Sequence, residues 1–138
     1  MDDKGRLKLP SAFQQYLVKL GEQKVFVTSL DSRTVRIYPI GIWRVNEKFF
    51  QDSKDKAAAD VSFLANDLGA DSEIDSQGRI LIPTELRRML GIESAPVWLE
   101  HYKGRFNLYS KDLYEDRRRR ALEGLEEKLE RLERDGLL

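Results

Sequence analysis

Apolar residues along this chain fall into short runs with two distinct periods, and two stretches carry the same run of signals. Leu7 and Leu9 alternate with polar neighbours, Phe13 and Leu17 follow at helical spacing, and Gly21 closes the stretch. Ile80 and Ile82, then Leu86 and Leu90, then Gly91 repeat that order. Residues two apart line one face of a strand and residues about four apart line one face of a helix, so each stretch predicts a short strand and a short helix. After the first, KVFVTS (24–29) and TVRIYP (34–39) predict a hairpin turning at LDSR. After the second, PVWLEH (96–101) and RFNLYS (105–110) predict another, turning at YKG.

Between the two stretches lies a helical insert. Ile42, Val45 and Phe49, then Ala57, Val61, Leu64 and Leu68, have helical spacing and predict two helices joined near residues 52–54. At the end, Leu122, Leu125, Leu129 and Leu132 are spaced 3, 4 and 3, which predicts a single C-terminal helix with a narrow apolar seam. Glu127 with Arg131 and Glu130 with Arg134 stand one turn apart, able to pair. Such a seam needs a partner, either the insert of the same chain or a neighbouring subunit.

The two similar stretches are in strict register. DDKGRLKLP and DSQGRILIP place Asp2, Gly5, Arg6 and Pro10 opposite Asp75, Gly78, Arg79 and Pro83, a constant offset of 75 − 2 = 73. Gly5 and Gly78 supply the positive φ of a tight reversal, and the preceding aspartate can bond its own backbone across it. Ser11 and Thr84, after the prolines, are expected to cap the helices. One unit alone buries too little apolar surface, so the copies are expected to form one pseudo-symmetric, β-rich core. In the second copy residues 69–74 predict a strand leading into the turn; in the first only Met1 precedes Asp2.

Composition narrows the chemistry. The 138 residues suit one domain or two halves sharing a core, and 41% hydrophobic with 35% charged residues argues against wholesale disorder. Absence of cysteine removes disulfides, thiolate nucleophiles and Cys-based metal sites, and fits a reducing compartment. No leader-like or membrane-spanning apolar run occurs, so a cytoplasmic location is the default expectation. Lys plus Arg equals Asp plus Glu at 24 each, so attraction for a polyanion has to come from a local patch.

No catalytic constellation is present. His101 stands without metal-ligand spacing around it and reads as a strand-end or packed histidine; neither a P-loop nor a nucleophile elbow occurs. Asp2 with Asp3, or Asp71, Glu73 and Asp75, are explained by turns and strand alternation rather than by acid–base work. The run Arg117–Arg120, bordered by Glu115, Asp116 and Glu123, reads as a solvated, salt-bridged helix face. There remain the cations near the turns: Lys4, Arg6 and Lys8 in one copy, Arg79, Arg87 and Arg88 in the other. Spacing leaves two readings of Arg6 and Arg79 open. Each can pair with the aspartate four residues before it, or the two can face a polyanion as a regular array.

The duplicated turn, strand and proline of DDKGRLKLP and DSQGRILIP, with the helical insert and the Trp43 and EKFF (47–50) stretch between them, resembles the MraZ family of bacterial transcription regulators, related to the AbrB and SpoVT group. The resemblance implies an α+β fold of two pseudo-symmetric AbrB-like βαβ units forming one barrel-like core, with a helical insert and a C-terminal helix. The units are expected at 1–40 and 69–110, the insert at 41–68 and the C-terminal helix at 111–138. It further implies sequence-specific binding of double-stranded DNA at repeated operator boxes of the division and cell-wall gene cluster. The regulator would act as a ring-shaped homo-oligomer, nucleoid-associated and repressing its own transcription, with no cofactor, metal, membrane or small-molecule substrate. Arg79, Arg6, Lys4 and Gln77 are then the DNA-facing residues, with Asp2, Gly5, Asp75 and Gly78 supporting the turns. Family members have a strand before the first turn, so this chain is expected to lack one through a start assigned downstream of the true one. The alternative is a protein-interaction, antitoxin-like module of the same fold.

Overall fold

The computed structural model describes residues 1–138. Its elements run β1 (Arg6–Lys8), α1 (Ser11–Lys19), β2 (Lys24–Thr28), β3 (Val35–Pro39), α2 (Ile40–Asp52), α3 (Lys56–Leu68), β4 (Ala70–Glu73), β5 (Arg79–Leu81), α4 (Thr84–Leu90), β6 (Trp98–Tyr102), β7 (Arg105–Tyr109), α5 (Lys111–Leu122) and α6 (Leu125–Arg134). The class is α+β. Five antiparallel strands form one sheet in the order β4-β2-β3-β7-β6, and β1 pairs with β5 in a separate two-stranded ribbon. The two hairpins meet at β3 and β7, where Ile37 lies opposite Phe106.

The expected barrel does not close. β4 and β6 remain at opposite edges of an open sheet, because β1 and β5 are three residues each and pair with one another instead of bridging those edges. Alternation still sets the layers. Leu7, Ile80 and the residues after the ribbon, Leu9 and Ile82, point inward against Leu17 of α1, Leu86 of α4, and Val25, Val27, Ile37, Phe106 and Leu108 of the sheet. These side chains are almost fully buried, and each contributes roughly 1.5–3 kcal/mol of transfer free energy. This is the main core.

A second cluster covers the opposite face of β2 and β3. Phe26 and Tyr38 meet Trp43 of α2 and Ala65 of α3, with the Phe26 and Trp43 rings stacked 4.4 Å apart. The Thr28 hydroxyl donates to the Ala65 carbonyl at 2.6 Å. Sheet burial on both faces explains why Val25, Phe26 and Val27 are apolar in succession rather than alternating. The two insert helices form as expected, yet α2 buries the row containing Trp43. Val45 and Phe49, part of the expected apolar row, remain 68% and 65% exposed.

Two local expectations fail for identifiable reasons. The prolines themselves occupy the N-cap positions of α1 and α4, with Pro10 at φ −56°, ψ 150° and Pro83 at φ −54°, ψ 143°, so neither Ser11 nor Thr84 caps its helix. The C-terminal helix is two helices. Glu123 is extended (φ −65°, ψ 121°) and Gly124 left-handed (φ 59°), a conformation glycine adopts without penalty, and this breaks the seam after Leu122. The expected Glu127–Arg131 and Glu130–Arg134 pairs do not form; the tail's ion pairs join Arg119 and Arg120 to Asp116. Helix α5 is held to the sheet by Tyr114 stacking on Trp98 at 4.9 Å, whereas the leucines of α6 remain about half exposed.

Candidate nucleic-acid interface

Both five-residue turns close through the same bonds. Asp2 Oδ1 accepts from the backbone N–H of Lys4 at 3.0 Å and of Arg6 at 2.8 Å, while Oδ2 accepts from Arg6 Nε at 2.8 Å. Asp75 does likewise with the N–H groups of Gln77 and Arg79 and with Arg79 Nε, each at 2.9 Å. Gly5 and Gly78 take φ of 81° and 76° and donate to the carbonyls of Asp2 and Asp75 at 3.2 and 3.0 Å. The N–H of Arg6 and that of Arg79 are the chief reasons that the Asp2 and Asp75 carboxyls are held below the ordinary carboxylate range.

The turns are also tied to each other. Leu9 N–H donates to the Gly78 carbonyl at 3.0 Å and Ile82 N–H to the Gly5 carbonyl at 2.9 Å, a reciprocal pair across the ribbon. In that ribbon Leu7 faces Ile80, Arg6 faces Leu81 and Lys8 faces Arg79. Since Leu7 and Ile80 point into the core, alternation turns Arg6, Lys8, Arg79 and Leu81 to the outer face. Arg79 Nη1 also lies 3.9 Å from Asp2 Oδ2, so one carboxylate stands near both arginines. Lys4 and Gln77 are exposed in the two turns, at opposite ends of the ribbon.

Arg6 and Arg79 are braced by their aspartates and still accessible, with side chains 34% and 24% exposed. A guanidinium carries five N–H donors, and bracing at Nε leaves the Nη groups able to donate outward. Lys8 joins this face from within the strand. Arg87 does not: its side chain lies behind the first turn, where Nη2 donates to Thr84 Oγ1 at 2.9 Å and Nη1 stands 3.4 Å from Glu93. A β-carbon on Gly5 would lie 2.4 Å from Arg87 Cζ, and one on Gly78 would lie 2.4 Å from Gln14 Nε2. Each turn therefore rests on a side chain from the helix of the other repeat. Positions 14 and 87 differ by the same 87 − 14 = 73 residues, the one sequence signal that links them.

Elsewhere, His101 packs its ring against Phe13, Tyr16 and Phe106 at centroid distances of 5.8, 4.5 and 4.9 Å. No group of three or more His, Asp or Glu side chains is arranged to hold a metal ion, and no helix is long and apolar enough to cross a membrane.

Residues 69–135 match the family model described as "MraZ protein, putative antitoxin-like". A protein of Acidobacterium capsulatum named transcriptional regulator MraZ is 36% identical over 89 residues, which cover 63% of this chain and 61% of that protein. Its namesake from Desulfitobacterium hafniense is 32% identical over 124 residues, 88% of this chain and 82% of the relative. The one from Caldanaerobacter subterraneus subsp. tengcongensis is 32% identical over 120 residues, 84% and 79% of the respective chains. With relatives 32% identical over more than four fifths of this chain, and a family match from β4 into the last helix, the chain belongs to the MraZ family.

Proposed function

We propose that this chain is a sequence-specific, DNA-binding transcription regulator that reads double-stranded DNA with the outer face of the β1–β5 ribbon and its two turns. The observation that carries the reading is the row Arg6, Lys8 and Arg79 on one ribbon face, with both arginines held in place through Nε. A two-stranded ribbon fits the major groove, where a guanidinium bonds guanine O6 and N7 with a discrimination of roughly 1–3 kcal/mol. Lys4 and Gln77 would flank it, the lysine gripping phosphate. Asp2 and Asp75 orient the arginines, and Gly5 and Gly78 shape the turns. The names of the relatives support transcription regulation.

The same carboxylates offset much of the local positive charge, so one protomer binds one site weakly. Several protomers on successive operator boxes multiply affinity without new contacts per site. A ring-shaped homo-oligomer of this kind, acting in the cytoplasm at the nucleoid on the division and cell-wall gene cluster and on its own promoter, completes the proposal. In this reading residues 1–40 and 69–110 are AbrB-like halves, 41–68 an insert and 111–138 a C-terminal segment. The second reading, an antitoxin-like protein-interaction module, draws on the description of the matching family.

The test is binding to the DNA upstream of the chain's own operon across a salt series, with Arg6→Ala, Arg79→Ala and the double variant beside the unaltered protein. Affinity should fall steeply with salt and drop about tenfold or more with either substitution. Equal binding by the double variant overturns the site, and binding of a protein partner in place of DNA favours the second reading.

A further inference from the structure

Two apolar surfaces of this chain are uncovered: the leucine row of α6, with acidic residues along one flank and Lys128 and Arg131 along the other, and a groove with a basic side. On α6, Leu125, Leu129 and Leu132 form one row, each about half exposed. Glu126, Glu130 and Glu133 follow one residue behind with the same 4, 3 spacing, so an acidic row runs along one side of the leucines. None of these glutamates takes part in an ion pair. On the other surface, α2 and α3 border a groove of about 300 Å³ with Ile42, Phe49 and Val61 on its walls, and Arg36, Lys103 and Arg105 at its basic side. No carboxylate lines it, and Phe49 also borders a neighbouring depression on α2 that holds the exposed Val45, one turn before it. Those three cations are free of ion pairs, Lys103 and Arg105 lying over the Tyr102 ring at 5.2 Å.

We propose that α6 of one copy docks in this groove of a second copy, its leucines against Phe49, Ile42 and Val61 and its glutamates against Arg36, Lys103 and Arg105. The contact deepens the assembly part of the functional reading and rests on it only there. Two different patches meet, so the interface is heterologous: each copy offers a helix to one neighbour and a groove to another, which builds a ring or an open chain. Pairing of α6 with α6 is the competing arrangement. A helix of ten residues is too short to hold such a pair firmly, and that arrangement leaves Phe49 and Val45 uncovered.

Sedimentation of the full chain without DNA tests the proposal independently of operator binding. Leu129→Glu spoils the helix and Phe49→Glu spoils the groove; both positions are exposed, and circular dichroism checks that each variant is folded. The unaltered chain should sediment as a multimer and each variant alone as a monomer. An equimolar mixture should yield a heterodimer, because the intact groove of Leu129→Glu accepts the intact helix of Phe49→Glu. Moderate salt should weaken that heterodimer. A monomeric unaltered chain, a Phe49→Glu variant that assembles normally, or a mixture that stays monomeric overturns the proposal and leaves the DNA reading standing.

Discussion

The turn at Gly5 and the turn at Gly78 are closed by the same bonds and backed by different chemistry. Behind Gly5 stands the guanidinium of Arg87, tied to Thr84 and near Glu93, with its Nε buried and without an acceptor. Behind Gly78 stands the neutral amide of Gln14, which donates to the Leu9 carbonyl at 2.7 Å. In front, the first turn carries Lys4 where the second has Gln77. Asp2 also meets a second arginine, whereas Asp75 meets only its own. The backbone is pseudo-symmetric; the electrostatics are not. A repeat in sequence can thus fix one geometry twice while leaving the two copies unequal as contacts.

Replacing each glycine by alanine tests that inequality most strongly. The positive φ alone makes either substitution unfavourable by roughly 1–2 kcal/mol. Gly5→Ala must also displace a guanidinium held at two points, and Gly78→Ala an amide held at one. Both midpoints of thermal unfolding should fall by several degrees, that of Gly5→Ala further. Equal falls would show that the different backing is without consequence.

Exchanging the residues in front has a smaller effect, confined to DNA. Lys4→Gln should lower the slope of log affinity against log salt by about 1 per protomer, and Gln77→Lys should raise it by about the same amount. An unchanged slope in both variants would remove Lys4 from the phosphate contacts. Thermal stability should hardly move, since both side chains are exposed.

The smallest effect concerns the aspartates. Asp2→Asn should loosen both guanidinium groups and Asp75→Asn only that of Arg79, visible as line broadening of the Arg Nε–H resonances. Both carboxyls have folded-state pKa values below their unfolded ones, so at low pH the unfolded chain binds more protons. Their contribution to stability is complete above the ordinary carboxylate pKa of about 4 and is lost as pH falls through the depressed folded values. A carboxyl titration by NMR should place both below the ordinary carboxylate value of about 4; ordinary values at either turn contradict the bonding described.

Much of the fold is legible in the residues. Periods of two and near four place the hairpins, the short helices and the pair of insert helices. Periodicity does not choose between two apolar faces of one helix. Trp43 and Phe49 both offer α2 an apolar side, and the stacking of Phe26 beneath Trp43 decides which one is buried. Gly124 is visible as a possible break, yet the leucine spacing runs through it. The open sheet is invisible locally, because closure depends on which strand lies beside which.

The turns are the part that sequence determines by itself. Asp, Gly and Arg within five residues supply the acceptor, the left-handed backbone and the pairing cation, all bonded inside the segment, so DDKGR and DSQGR close alike in both repeats. Tertiary structure alone decides that the turns share one ribbon, that Arg79 comes near Asp2, and that Arg87 and Gln14 cross over to support the opposite copy. Those contacts join residues some seventy positions apart in the chain. No local preference encodes them; they form only when burial of Leu7 against Ile80 brings the two repeats together.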